Sequence, residues 1–331
     1  GGGGGGGGGG AKSGKELDCS EQNVSVLTGL TPALEKINAA DNKLTELPPE
    51  IGACGALTSL DVSGNELTTL PAEIGSCKAL EELLCFKNQI KELPAAMTGD
   101  NLPALKVLNL FNNKLRKIPN ELGSLSSVEE VNIAANKLMM IPDPAMASWS
   151  SVKVLNLYDN NLVRLGSLAP LTALNEIRLY GNNLEEMPKF GSVPELQIVE
   201  MHKNRVAAIP DDFFNSMPAL SRLVLSGNQI SALPASICAC TQLKQLQIQE
   251  NKLTALPPGA WPKSLETIFL QDNPLSELPS ELSGCSALVR VNVSKLPLSE
   301  GSQGVAAAMG KIALGKKGGV YWDPSGNQAN S

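Results

Sequence analysis

Eleven asparagines recur along this 331-residue chain at intervals of 22 to 25 residues: Asn42, Asn65, Asn88, Asn113, Asn136, Asn160, Asn182, Asn204, Asn228, Asn251 and Asn273. A period in that range means that one small unit is built repeatedly, each copy covering its apolar face only with its neighbours. The frame around the asparagine repeats too. Leu57, Leu60, Val62, Asn65, Leu67 and Leu70-Pro71 return as Leu220, Leu223, Leu225, Asn228, Ile230 and Leu233-Pro234. An apolar residue stands five positions after each of the eleven asparagines, and a proline follows it in ten of them. Length alone would allow two domains, but the unbroken register predicts one elongated solenoid over residues 16–298 with roughly 12–13 coils. A flexible glycine-rich tail (1–15) precedes it, and a cap and tail (299–331) follow.

Each slot of the frame has a physical role. The alternation of Leu108 and Leu110 is that of a strand with one buried face. Successive strands stack in parallel, and the rest of each repeat supplies the crossover that parallel pairing requires. The asparagine amide can donate to and accept from backbone groups where the chain turns out of the strand, so it can be buried there. Phrases such as Pro71-Ala72-Glu73-Ile74-Gly75 place proline and glutamate at the start of a short α or 3-10 segment, with glycine keeping it short. Around Asn160 the proline gives way to Gly166, followed by Leu168, Leu171 and Leu174, and Phe214 is expected as a core filler.

The whole pattern, L-x-x-L-x-L-x-x-N-x-L-x-x-L-P, resembles the leucine-rich repeat from Leu17 to Leu298. The resemblance implies an α/β fold: a right-handed β-α solenoid, or horseshoe, with a parallel concave sheet and short helices or 3-10 turns on the convex side. The phrase L-P-x-E-I-G at Leu47–Gly52 and Leu70–Gly75 is similar to the cytosolic Ras-group proteins of this superfamily, the Ras-suppressor and Shoc-type scaffolds and their plant intracellular counterparts. That likeness implies a non-catalytic scaffold in intracellular signalling whose partner is a small GTPase or a type-1 protein phosphatase. No phosphatase-docking motif of the basic-Val-x-Phe type occurs in the tails. The 22-residue-like coil at Leu165–Leu174 also resembles those of phosphatase regulatory subunits and axonemal light chains, and that likeness implies an alternative, a structural or regulatory subunit of a larger assembly. A third reading is a pathogen-sensing or secreted effector repeat protein.

Composition narrows the choice. A net charge of −6 and a pI near 5.1 argue against nucleic acid as a partner. No run of 18 apolar residues and no charged-then-apolar leader precede the repeats, so neither a membrane span nor a signal peptide is expected. Of seven cysteines, Cys54, Cys77, Cys240 and Cys285 share one repeat slot, Cys19 and Cys85 occupy the second strand slot, and Cys238 replaces a glycine. Core-slot cysteines in odd number point to a reducing compartment, cytosol or nucleus.

Chemistry has little to work with. Gly310 to Lys316 has the spacing of a phosphate-binding loop but continues into Lys317 where Ser or Thr is required, and Gly9 to Lys15 fails likewise at Glu16. The single histidine, His202, shares its face with no cysteine, and Cys238-x-Cys240 lacks a second ligand pair. The expectation is a monomeric non-enzyme with neither cofactor nor metal.

Function in a solenoid sits on the outward strand positions, which the scaffold does not dictate. Two residues before each asparagine this column reads Ala40, Ser63, Phe86, Phe111, Ala134, Tyr158, Tyr180, His202, Ser226, Gln249, Gln271 and, in the last coil, Ser294. Four of the twelve aromatic residues of the chain fall there, within five consecutive coils. Two residues earlier stand Leu84, Asn109, Asn132, Asn156, Arg178, Glu200, Val224 and Phe269. Phe86, Phe111, Tyr158, Tyr180 and His202, with Asn109, Asn132, Asn156 and Arg178, are therefore the candidate partner-binding residues, since exposed rings beside Arg and Asn are the usual makings of a hot spot. The competing reading is sheet decoration, because Tyr and Phe favour strands anyway. Basic residues after the asparagine (Lys43, Lys114, Lys137, Arg205, Lys252) read as a solvated rim. Val305, Ala308, Met309 and Ile312 predict the buried face of a capping helix.

Overall fold

The computed structural model describes residues 14–321, so the glycine tract with its neighbours and residues 322–331 lie outside the described residues. The chain forms two compact units, one ending at Thr172 and the other beginning at Ala173.

Unit 1 contains, in chain order, β1 (Glu16–Asp18), β2 (Lys36–Asn38), β3 (Ser59–Asp61), β4 (Glu82–Leu84), β5 (Val107–Asn109), β6 (Glu130–Asn132), β7 (Met140–Ile141), β8 (Val154–Asn156) and β9 (Arg164–Leu165). Strands β1 to β6 and β8 pair in parallel, each with the next and without slippage: Leu17, Ile37, Leu60, Leu83, Leu108, Val131 and Leu155 stand opposite one another in turn. These are the inward residues, and a one-residue slip would turn all of them outward. Strands β7 and β9 form a separate parallel pair.

Unit 2 repeats the scheme with β10 (Glu176–Arg178), β11 (Ile198–Glu200), β12 (Arg222–Val224), β13 (Gln245–Gln247), β14 (Thr267–Phe269) and β15 (Arg290–Asn292). A helix, α1 (Glu300–Gly315), then leads to β16 (Gly319–Tyr321), which adds to β15 in parallel.

Strands stay at three residues because the chain must turn. The residue before the asparagine is left-handed in coil after coil: Asp41, Lys87, Asn112, Ala135 and Asp159 have φ of 51 to 54°, and Gly64 and Gly227 occupy the same place at 63°. The asparagine holds that bend. Asn65 Nδ2 donates to Val62 O (3.1 Å), Ser63 O (3.1 Å) and, in the preceding coil, Ala39 O (2.9 Å), while its Oδ1 accepts from Leu44 N (2.9 Å). The same set recurs at Asn113 and Asn228. Each amide thus satisfies its own turn and ties it to the previous coil, and all eleven asparagines are buried.

The crossovers are 3-10 turns, among them Pro49–Ala53, Ala72–Ser76 and Asn120–Ser124 in unit 1 and Ala235–Ala239 and Ser280–Gly284 in unit 2. The repeat proline mostly sits one residue before the turn rather than inside it. Pro71 is extended (φ −69°, ψ 151°) and its carbonyl accepts the first 3-10 bond from Ile74 N at 3.2 Å. The glycine slot also has a reason beyond chain stopping: a Cβ on Gly123 would run into the carbonyl of Pro144 in the next coil. Phe214 and six of the seven cysteines are buried, as their slots require.

The capping helix exists, but its buried face is turned by about one residue from the expected one. Ser302, Ala306, Met309, Gly310 and Ala313 are buried, whereas Val305, Ala308 and Ile312 are only half-buried. Small residues let α1 approach closely, and Ser302 Oγ both accepts from Leu278 N (2.9 Å) and donates to Glu277 Oε2 (2.7 Å). Gly310 to Gly315 lies wholly within α1, so that stretch is helix and not a phosphate-cradling loop.

Candidate partner-binding surface

Strand pairing sets the outward residues in columns, and the turn after each strand presents the residue two before the asparagine. In unit 1 this column holds Phe86, Phe111 and Tyr158, all half-buried rather than fully exposed. Their spacing explains it. Ala134 lies between Phe111 and Tyr158 in the stack and is completely buried, because the two rings lean over its methyl group and meet with centroids 6.1 Å apart, tilted by 45°. The alanine that interrupts the sequence column is thus the floor of an aromatic pair. Phe86 stands one coil away and makes no ring contact among the described residues.

The asparagine column beneath supports these rings. Asn109 Oδ1 accepts from Phe111 N at 3.1 Å, and Asn132 Oδ1 accepts from Ala134 N at 3.1 Å, the local side-chain-to-backbone bond that ends a strand. Their Nδ2 groups make no hydrogen bond among the described residues. Asn156 occupies the same register opposite Asn132. Unit 1 therefore presents aromatic rings beside unused amide donors.

Unit 2 places its candidates differently. Tyr180 and His202 stack face to face, centroids 4.4 Å apart with 12° between planes. Arg178 bonds Glu176 (2.7 Å) and reaches Glu200 (3.4 Å), and Glu200 also takes Arg222 Nε at 2.7 Å. Arg222 in turn donates to the Gln245 side-chain oxygen. Glu200 is only 9% exposed, and Val224 beside it is buried. Sequence reasoning missed Glu176, Arg222 and Gln245 as members of this face. The signal was available: a third outward position, six residues before the asparagine, carries all three.

Burial lowers thiol acidity throughout the core. It pushes Cys77, Cys240 and Cys285 up to about 11, and Cys85, the most enclosed, higher still. No group of three or more His, Cys, Asp or Glu residues that could hold a metal occurs among the described residues, and no helix there is long and apolar enough to cross a membrane.

Three-residue parallel strands, a buried asparagine in eleven successive bends and 3-10 crossovers define a leucine-rich-repeat solenoid, a scaffold whose outward positions are free to bind proteins. The chain belongs to the leucine-rich-repeat superfamily: models described as leucine rich repeats match residues 56–77, 78–124, 126–184 and 194–253. Keratocan from Gallus gallus and from Coturnix japonica is 27% identical over 132 residues, 38% of this chain, so the chain spans 37% of the length of these curated relatives. A leucine-rich-repeat protein of Leptospira interrogans is similar in structure at 26% identity and a TM-score of 0.54, with 92% of this chain and 94% of that one covered. The leucine-rich repeat domain of APL1B shares the fold at 21% identity, with a TM-score of 0.73 over 88% of this chain and 85% of its own.

Proposed function

We propose that this protein is a non-catalytic scaffold that binds a protein partner through the strand face of unit 1. The observation that carries this reading is the Phe111–Tyr158 pair seated on Ala134, with Phe86 in the same column and the free amides of Asn109 and Asn132 alongside. Rings held at half burial need little further ordering when a partner covers them, and aromatic anchors dominate binding energy. The amide donors suit backbone carbonyls of the partner. In unit 2, Tyr180, His202 and Arg178 form a separate candidate set. Arg178 is already paired with carboxylates, so a partner there must match an existing charge pattern.

The L-P-x-E-I-G phrases make a small GTPase or a protein phosphatase the partner class to test first, in cytosol or nucleus. Buried unpaired cysteines support a reducing compartment. Disulfide-linked peptides in protein isolated from its native cell under alkylating conditions would remove that part of the reading.

The test is affinity capture from native lysate with wild type, the F111S/Y158S variant and the L110A variant. A GTPase or phosphatase retained by wild type and lost with F111S/Y158S at an unchanged melting temperature supports the proposal. Equal recovery by wild type and F111S/Y158S makes the rings decoration of the sheet. Loss of binding only with L110A, which melts early, would report fold and not surface.

A further inference from the structure

We propose that one flank of unit 1, away from the strand face, is a docking groove for an acidic protein segment that also carries apolar side chains. The groove is built from the positions one, three and four residues after the asparagine. In consecutive coils these are Lys91 and Glu92, then Lys114, Arg116 and Lys117, then Lys137, Met139 and Met140, then Val163 and Arg164. Backbone bonds lock the rows together: Lys114 N to Ile90 O (2.9 Å), Lys137 N to Leu115 O (2.8 Å) and Val163 N to Met139 O (3.0 Å). Pairing of β7 with β9 sets Met140 opposite Arg164.

Three observations point to the occupant. First, Lys91, Lys114, Arg116, Lys117 and Lys137 surround a hollow of about 650 Å³ with Glu92 as its single carboxylate. None of the five makes an ion pair among the described residues, and Lys114 meets only the neutral Gln89 side chain at 3.0 Å. Elsewhere in the unit, Lys106 and Lys153 each sit on a carboxylate at 2.7 Å. Secondly, this cationic cluster stands on a chain of net charge −6, so overall composition does not account for it. Gathering like charges around one hollow is unfavourable until an anionic group enters. Thirdly, the cations adjoin an apolar strip. Met139, Met140 and Val163 are 65%, 55% and 41% exposed, three of the five large hydrophobic side chains so exposed among the described residues. Methionine adapts to varied apolar partners, and clustered exposure of this kind marks a contact surface. A concave hollow takes a chain segment, whereas a bilayer presents a plane.

The decisive experiment titrates the full chain into a fluorescein-labelled synthetic peptide of Glu and Asp interspersed with Leu, read by anisotropy. Saturable binding is expected. It should weaken about ten-fold in R116E/K117E and with added salt, and about three- to ten-fold in M139S/M140S/V163S. F111S/Y158S should bind the peptide as wild type does, which separates this groove from the strand-face reading. Arg116, Lys117, Met139, Met140 and Val163 are exposed, so the melting temperatures of the two groove variants should match wild type and certify the fold. Wild-type affinity in R116E/K117E would overturn the proposal. So would equal binding of polyglutamate, which has no apolar contact to offer. Displacement of the peptide by phosphatidylserine vesicles would reassign the surface to lipid, and concentration-dependent self-association lost in R116E/K117E would reassign it to a second copy.

Discussion

Four residues before the asparagine, unit 1 carries Leu84, Asn109, Asn132 and Asn156, while unit 2 carries Arg178, Glu200, Val224, Gln247 and Phe269. The scaffold beneath is the same in both: three-residue parallel strands, a buried asparagine in each bend from Asn42 to Asn273, leucine or its equivalents inside. What differs is how the outward side chains are satisfied. Unit 1 uses the side-chain oxygens of Asn109 and Asn132 on its own backbone, and their amide nitrogens make no hydrogen bond among the described residues. Unit 2 closes its charges on one another through Arg178, Glu200 and Arg222. The flanks differ as well, with Arg116, Lys117, Met139 and Met140 in unit 1 against Glu185, Glu186, Ala207 and Ala208 at the matching places in unit 2. A repeat frame fixes the inward residues and leaves the outward ones to vary without cost to the fold.

That comparison can be broken most forcefully at the shared scaffold. Asn113→Ala leaves the Ile90 N–H without its acceptor and takes one of two donors from the carbonyls of Cys85, Leu110 and Phe111, and Asn228→Ala does the same to the Val206 N–H and its own three carbonyls, so each should lose about 2–4 kcal/mol in urea denaturation. A loss in one unit only would mean that the ladders are not equivalent. The outward faces should then separate the units. Glu200→Ala leaves Arg222 without a carboxylate and Arg178 with Glu176 alone, in a largely covered place, and should cost about 1–3 kcal/mol. Asn132→Ala removes one strand-end bond and should cost about 1 kcal/mol or less by the same measurement. Comparable losses would erase the distinction between a closed and an open face. The smallest effect concerns the left-handed slot. Ala135→Gly should raise stability by about 0.5–1 kcal/mol, and Gly227→Ala should lower it by about 1 kcal/mol, visible as opposite shifts in melting temperature.

Much of this was legible in the sequence because the repeat states it many times over. The asparagine ladder, the inward leucines, the buried cysteines, Phe214 in the core and a helix after the last coil follow from slot and period. The rest failed where the pattern carries no information. Ala-rich stretches do not say which face they bury, so the α1 face was set by how closely Gly310 and Ala313 could approach. Gly319–Tyr321 has no strand alternation to read, and β16 forms because β15 offers an open edge. Ala134 looked like a gap in the aromatic column and is its floor.

The sequence by itself determined which side chains point in and which point out, because alternation along a strand is local and the period repeats it in register. Only the tertiary structure decided which outward side chains meet. Arg178, Glu200 and Arg222 are separated by 22 residues at each step in the chain, yet parallel pairing sets successive strands about 4.8 Å apart. At that distance side-chain size and charge settle whether neighbours lean together, as Phe111 and Tyr158 do over a methyl group, or neutralise one another, as Glu200 does between two guanidinium groups.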